Sequence, residues 1–278
     1  MAVALPLILG LVIGSFLNVV ILRLPEGKSI SRPRSHCRKC NRVIPWYDNV
    51  PILSYVLLGG RCRGCHKKIS IRYPLVEAFT GIVGLLMYYK FGLGTEWVIF
   101  FSFSAALIVL AFIDLDHRIL PDAITLNGIW VGILANGYLA QPSPLAVRLL
   151  RTFGVEAANS RVIALTASFV GAVIGGGLLW GVAEAYLRLR GIEGMGFGDV
   201  KMMAMVGAFL GAPLALLTIM IGSLLGSVIG LLYIRFAGKS RQYELPFGSF
   251  LAAAGIVVVL YGDGLVHWYV DRIIRPNL

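Results

Sequence analysis

Acidic residues are scarce in this chain, 14 Asp and Glu against 25 Lys and Arg, and two of them stand out by position. Asp114 ends an apolar stretch and is followed by Leu115-Asp116-His117-Arg118-Ile119-Leu120-Pro121-Asp122. Asp199 opens another stretch after Gly194-Met195-Gly196-Phe197-Gly198. A carboxylate at membrane depth is costly and therefore marks a use. Two carboxylates in a partly dry site cannot both ionise readily, so they titrate as a pair that shares a proton. Such a pair suits peptide hydrolysis. The ionised member takes a proton from water, and the protonated member polarises the scissile carbonyl and later protonates the leaving amine. Glycines before Asp199 allow close backbone approach. Lys201 is placed to orient Asp199 or to favour its charge. The competing reading is a cluster of interfacial charges at helix ends, including Asp116, His117 and Asp122. Asp122 after Pro121 also suits a helix start, where negative charge meets the positive end of the helix dipole.

A second constellation is Cys37-Arg38-Lys39-Cys40 and Cys62-Arg63-Gly64-Cys65, the only four cysteines of the chain. Each CxxC turn brings two thiolates together, and two turns complete a closed tetrahedral shell for zinc. Four thiolates leave no open position, so the expected role is structural. Redox-active thiols are the main competitor, and stable disulfides do not suit a cytoplasmic loop. His36 and His66 are neighbours that can also ligate.

The elements that position these groups follow from composition. Of 278 residues, 58% are hydrophobic and 14% charged, with a mean hydropathy of +0.81. Those values exclude a disordered, collagen-like or ordinary cytosolic protein. The expected fold is an all-α polytopic membrane protein of about eight helices, at ~20 residues per span. The expected spans are 2–22, 74–91, 97–114, 121–140, 161–187, 199–212, 213–235 and 246–262, with a tight turn near Gly211 and Pro213. The domain plan is a first transmembrane helix at 1–22, a tetracysteine loop at 23–73, and a membrane-embedded core at 74–278. The segment 141–160 reads as an external loop with an interfacial helix. Gly171 to Gly181 suits close helix packing in lipid.

The net charge of +11 points to topology and anionic lipid headgroups rather than nucleic acid. Twelve bases in the 23–73 loop place it in the cytoplasm and the N-terminus outside. Alternation then puts 19 of the 25 bases inside. Two spans separate Asp114 from Asp199, which returns both to the cytoplasmic boundary, where they can meet.

Several motifs occur together in order: GSFLNVVILRLP at 14–25, the double CxxC loop, PWYDNVPILSY at 45–55, ISIRYPLVEAFTG at 69–81, IDLDHRILPDAITL at 113–126 and GMGFGDVKM at 194–202. Through them the sequence resembles, over nearly its full length, the bacterial type IV prepilin peptidases, the bifunctional prepilin leader peptidase and N-methyltransferase family. The resemblance implies that Asp114 and Asp199 are the catalytic aspartates, with Asp116 the nearest rival for the first role. It implies cleavage of a short basic leader after Gly, at the cytoplasmic face of the bacterial inner membrane, from type IV prepilins or type II secretion pseudopilins. It further implies N-methylation of the new N-terminal residue with S-adenosylmethionine. No strand-flanked dinucleotide fingerprint locates that cofactor. Glu77, a carboxylate in an apolar span, is a weak candidate for the methylation or for the substrate's α-amine; pairing with Arg72 or Lys201 is the plainer alternative. A presenilin-like protease and a proton-coupled transporter are the competing functions. The tetracysteine loop and interfacial aspartates argue against the first. The lack of inverted halves and of helices broken at mid-membrane argues against the second.

Overall fold

The computed structural model describes residues 3–141, 147, 151–152, 154, 159–192, 194–237, 245–269 and 272. The expected external loop with its interfacial helix at 141–160 lies for the most part outside these residues, as do Arg148, Arg241 and Arg275. Among the described residues the regular structure is helical, without strands. The long helices are α1 (Ala4–Arg23), α2 (Arg72–Phe91), α3 (Thr95–His117), α4 (Asp122–Leu139), α5 (Ser160–Arg190), α6 (Phe197–Leu210), α7 (Ala212–Ala237) and α8 (Phe247–Tyr269). Each coincides with one expected span.

Helices α1, α3, α5, α7 and α8 are long and apolar enough to cross a membrane. The other three carry polar residues or are short. Helix α2 holds Arg72, Glu77 and Lys90; α4 holds Asp122, Asn127 and Asn136. Helix α6 has 14 residues, about 21 Å at ~1.5 Å per residue, against a hydrocarbon core of ~30 Å. These three helices are the ones that bear Glu77, Asp122 and Asp199. Apolar side chains such as Phe169, Val173 and Trp180 on α5, and Leu224 and Leu231 on α7, are exposed. Such surfaces suit lipid rather than water.

The chain forms two compact units, Met1–Val109 and Leu110–Leu278, which divide within α3. In the N-terminal unit α1 packs on α2. A Cβ on Gly10 would stand 2.8 Å from the Gly81 Cα, and one on Gly14 2.8 Å from the Glu77 Cα. The two backbones are in contact, which is what a GxxxG pair permits. The Asn18 amide donates to the Tyr73 carbonyl at 3.1 Å, and the Trp97 Nε1–H donates to the Gly84 carbonyl at 2.9 Å.

The C-terminal unit is built around α6, which packs against α4, α5, α7 and α8. Almost all of α6 from Asp199 to Leu210 is buried, which explains its Met, Ala and Gly content on every face. Gly171 and Gly175 of α5 abut the Gly207 and Met203 carbonyls, whereas Gly177 and Gly181 have open space around them. Only the first half of the expected small-residue stripe therefore serves packing. The Asn136 amide donates to the Ala208 carbonyl at 2.7 Å, and the Ser168 hydroxyl donates to the same oxygen. Gly211 turns between α6 and α7 with a φ of 77°, in the region glycine adopts without strain.

Candidate active site and metal centre

In the C-terminal unit the end of α3 meets the first turns of α6 and α8. Asp114 and Asp199 are both buried there, at 5% and 7% exposure. Gly196, with extended backbone, caps α6 and places Asp199 in its first turn, so the carboxylate sits at the positive end of that helix. Helix α8 begins after Pro246, and its unpaired N–H groups need acceptors. Asp114 supplies the shorter contact for one of them: the Ser249 N–H donates to its Oδ2 at 2.7 Å and to the Pro246 carbonyl at 3.2 Å. The Ser249 Oγ lies 2.8 Å from the same oxygen and 2.9 Å from the Ala111 carbonyl. A hydroxyl has one proton. It can serve an ionised Asp114, or turn to Ala111 and accept from a protonated Asp114, so both charge states find a partner.

Gly248 brings the two acids together. A Cβ built on it would lie 2.8 Å from Asp199 Oδ1, 3.1 Å from Asp114 Oδ2 and 3.0 Å from Leu120 Cδ1. Both carboxylates thus close on one bare Cα, and no other residue type fits without displacing them. Neither Gly248 nor Ser249 was singled out from the sequence. Pro246-Phe247-Gly248-Ser249 signals a helix start, but nothing local links it to an aspartate 135 positions earlier.

Asp116 is exposed. Two residues along a helix is about 200° of rotation, so it leaves α3 on the face opposite Asp114. Asp122 is 57% exposed and pairs with Lys201. Lys201 is therefore held by Asp122 instead of by Asp199.

The tetracysteine loop belongs to the N-terminal unit. Its two knuckles are built alike. The Cys37 N–H donates to Arg42 O and the Asn41 N–H to Cys37 O; likewise the Cys62 N–H donates to Lys67 O and the His66 N–H to Cys62 O. Each is closed by an isolated bridge, His36 with Val43 and Arg61 with Lys68. The residue after each second cysteine has left-handed backbone, Asn41 at 56° and His66 at 53°. His66 is thus a turn residue, and the His36 ring faces the Arg34 carbonyl at 3.2 Å. The converging ligand atoms are the sulfurs of Cys37, Cys40, Cys62 and Cys65, all within 4.8 Å of one another. Cys37 and Cys65 are 3.9 Å apart, close to the edge of about 3.8 Å in a tetrahedron with Zn–S bonds of ~2.3 Å.

The charge of the thiols agrees with a metal site. The Lys39 N–H on Cys37 draws that thiol down to about 6. Cys40 instead rises to about 11: the Arg42 N–H favours its thiolate, but desolvation and the three neighbouring thiols outweigh it. A dication removes that conflict. Beside the knuckles, Arg63 forms a forked bond to Asp48, with contacts of 2.7, 2.9 and 3.0 Å. That guanidinium holds the Asp48 carboxyl below the usual carboxylate range.

Glu77 is 8% exposed. It accepts the Ile52 N–H at 2.8 Å and a bond from Ser15. Arg72 does not pair with it. Ile52 reaches it from φ 59°, ψ −50°, a strained conformation for a β-branched residue.

Comparison with known proteins gives two family matches. Residues 8–91 match the bacterial peptidase A24 N-terminal domain, and residues 101–231 match the type IV leader peptidase family. The chain is 34% identical to the prepilin leader peptidase/N-methyltransferase of Pseudomonas putida, over 94% of this chain and 91% of that protein. It is 34% identical to the protein of the same name from Aeromonas salmonicida strain A449, over 95% and 92%. For the Legionella pneumophila protein of that name the figures are 32%, 94% and 92%. No solved structure matches the chain.

Proposed function

Because this chain belongs to the type IV leader peptidase family, we propose that it is a membrane-embedded aspartic endopeptidase with N-methyltransferase activity. It removes the leader of type IV prepilins or type II secretion pseudopilins after Gly, then methylates the new N-terminal amine from S-adenosylmethionine. The observation that carries the peptidase reading is the convergence of Asp114 and Asp199 on Gly248.

In this mechanism Asp114 is the base, because Ser249 gives its charged form two donors, while Asp199 makes no side-chain hydrogen bond among the described residues. Asp114 takes a proton from water as the oxygen attacks the scissile carbonyl. Asp199 delivers its proton to the carbonyl oxygen, giving a neutral tetrahedral diol. Collapse breaks the C–N bond. The leaving amine takes the proton from Asp114, and a diol hydroxyl returns one to Asp199, so the dyad ends as it began.

Cys37, Cys40, Cys62 and Cys65 would hold one structural zinc ion, which supplies a cross-link within the loop and no open coordination position. The methyl donor, when bound, supplies an electrophilic methyl carbon on a sulfonium. The substrate amine must lose a proton to attack it, which the surrounding water can accept. The bacterial inner membrane is the proposed location. The basic loop 23–73, the aspartates and the scissile bond lie on its cytoplasmic side, the N-terminus in the periplasm, and the core spans 74–278.

Cleavage of a prepilin by the purified protein in detergent is the test. Asp114→Asn and Asp199→Asn should each abolish it while leaving insertion and solubility intact, and Asp116→Asn should be mild. Substantial cleavage by Asp114→Asn would remove Asp114 from the mechanism. A leader left intact by the unaltered protein would overturn the peptidase reading.

A further inference from the structure

Between its two cysteine knuckles the loop carries an exposed apolar strip. The one-turn helix Leu53–Leu57 presents Leu53, Val56 and Leu57 on one face, at i, i+3 and i+4, and Leu57 is 75% exposed. Ser54 is buried and staples the preceding turn to this helix. Its hydroxyl donates to the Tyr47 carbonyl at 2.9 Å and accepts the Val50 N–H at 3.1 Å. That turn, Trp46–Asp48, adds Trp46 to the strip at 76% exposure.

Hydrogen bonds set the level of this segment against α1. The Ile52 N–H donates to Glu77, which also accepts from Ser15 of α1. Ser15 lies eight residues before Arg23, the last residue of α1, about 12 Å along the axis at ~1.5 Å per residue. Helix α1 is long and apolar enough to span a bilayer, so Ile52 lies within the membrane boundary and not in the water above it. Interfacial helices bury their apolar face to a comparable depth of ~5–10 Å. Leu75 and Phe79, on either side of Glu77 in α2, are exposed apolar residues at the same level.

Backbone groups at that depth need partners within the protein, and the segment has them. The Asn49 N–H donates to the Trp46 carbonyl, that of Ser54 to Val50, and that of Leu58 to Ser54. Ser54 Oγ serves Val50, and Glu77 serves Ile52, whose strained backbone aims its N–H at that carboxylate. The adjoining knuckle is basic. Arg63, forked onto Asp48 and lying over the Tyr47 ring, ties it to the segment, and Lys67 and Lys68 are exposed. An aromatic and aliphatic strip beside exposed bases complements an anionic bilayer surface.

We propose that residues 46–58 are a membrane anchor. The strip of Trp46, Leu53, Val56 and Leu57 inserts into the leaflet at which the loop emerges, with Lys67 and Lys68 at the lipid phosphates. The anchor holds the cysteine knuckles against the bilayer. It rests on α1 spanning the membrane and is independent of the peptidase reading.

The experiment uses the full-length, zinc-replete protein in nanodiscs of phosphatidylethanolamine and phosphatidylglycerol. A benzophenone-bearing residue is placed in turn at positions 53, 57, 79 and 39, and phospholipid adducts are quantified by mass spectrometry after irradiation. Positions 53 and 57 should give adducts within about threefold of Phe79 on α2 and at least about tenfold above Lys39 on the first knuckle. Adducts at 57 no more abundant than at Lys39 would overturn the anchor. So would cross-links from 57 to a second copy of this chain, or to an added prepilin, in place of lipid. Hydrogen exchange in the same nanodiscs is the second arm. Leu57 leaves most of its surface free of the protein, so Leu57→Asp would not disturb a strip that faced water. Insertion predicts at least about tenfold faster exchange across residues 46–60 in that variant, because a charge is expelled from lipid, with zinc content and exchange in α1 as fold checks. Exchange within about twofold of the unaltered protein refutes insertion.

Discussion

Gly248→Ala should impair cleavage while leaving the protein folded. The backbone of Gly248 is not in the left-handed region, so alanine is conformationally acceptable. In a helix alanine is favoured over glycine by up to ~1 kcal/mol. The cost falls on the acids. The new methyl would stand 2.8 Å from Asp199 Oδ1 and 3.1 Å from Asp114 Oδ2, whereas a C···O contact settles at about 3.3 Å or more. Asp199 must therefore retreat by roughly 0.5 Å, and Asp114 by about 0.2 Å. A misplacement of ~1 Å can cost about 100-fold in rate. We expect kcat to fall by about 10- to 100-fold, or ~1.4–2.7 kcal/mol of barrier. KM should change by no more than about twofold, because the nearest neighbours of a methyl at Gly248 are the two carboxylates and Leu120. The assay is steady-state cleavage of a purified prepilin, with thermal unfolding in the same detergent as control. A folded Gly248→Ala protein with unaltered kcat would refute the placement of the two carboxylates.

Ser249→Ala removes the hydroxyl but keeps the backbone donor to Asp114. The loss of one hydrogen bond, ~0.5–1.5 kcal/mol, should lower kcat about 3- to 10-fold, with recovery in Ser249→Thr; equal rates in all three proteins would contradict the role of Oγ. Elemental analysis should find one zinc per chain. Chelation, or paired Cys37→Ser and Cys40→Ser changes, should make the loop protease-sensitive before it affects cleavage, and a metal-free protein with a fully resistant loop would defeat the structural role. On the substrate side, the loop is basic, so a basic leader of the kind the family resemblance implies would be repelled by it, and attraction between them would not be the basis of recognition. Cleavage should tolerate leader charge changes and fall sharply when the Gly before the cut becomes bulky; the opposite pattern in paired substitution series would reject this model.

Much of the molecule was determined by local sequence. Runs of apolar residues bounded by charges and Gly-Pro turns set each long helix to within a few residues, except at the C-terminal end of α8, which runs to Tyr269. CxxC spacing set each of the two knuckles, because a four-residue turn needs no distant partner. The convergence of Cys37 on Cys65 across 28 positions is instead a matter of tertiary packing. Asp114 and Asp199 were legible because charge in an apolar segment is expensive wherever the segment packs. Tertiary structure decided what depends on residues far apart in the chain. It set Asp114 on the inner face of α3 and Asp116 on the outer, and it gave Lys201 to Asp122. It also brought Gly248 and Ser249 onto the dyad from the start of α8. In the N-terminal unit it gave Glu77 the Ile52 N–H and Ser15 as partners, with no cation among the described residues, because α1 and α2 meet through glycines and Ile52 is bent to reach it. Composition and periodicity specify which face of a helix is buried; which neighbour occupies that face is settled by the packing of whole helices.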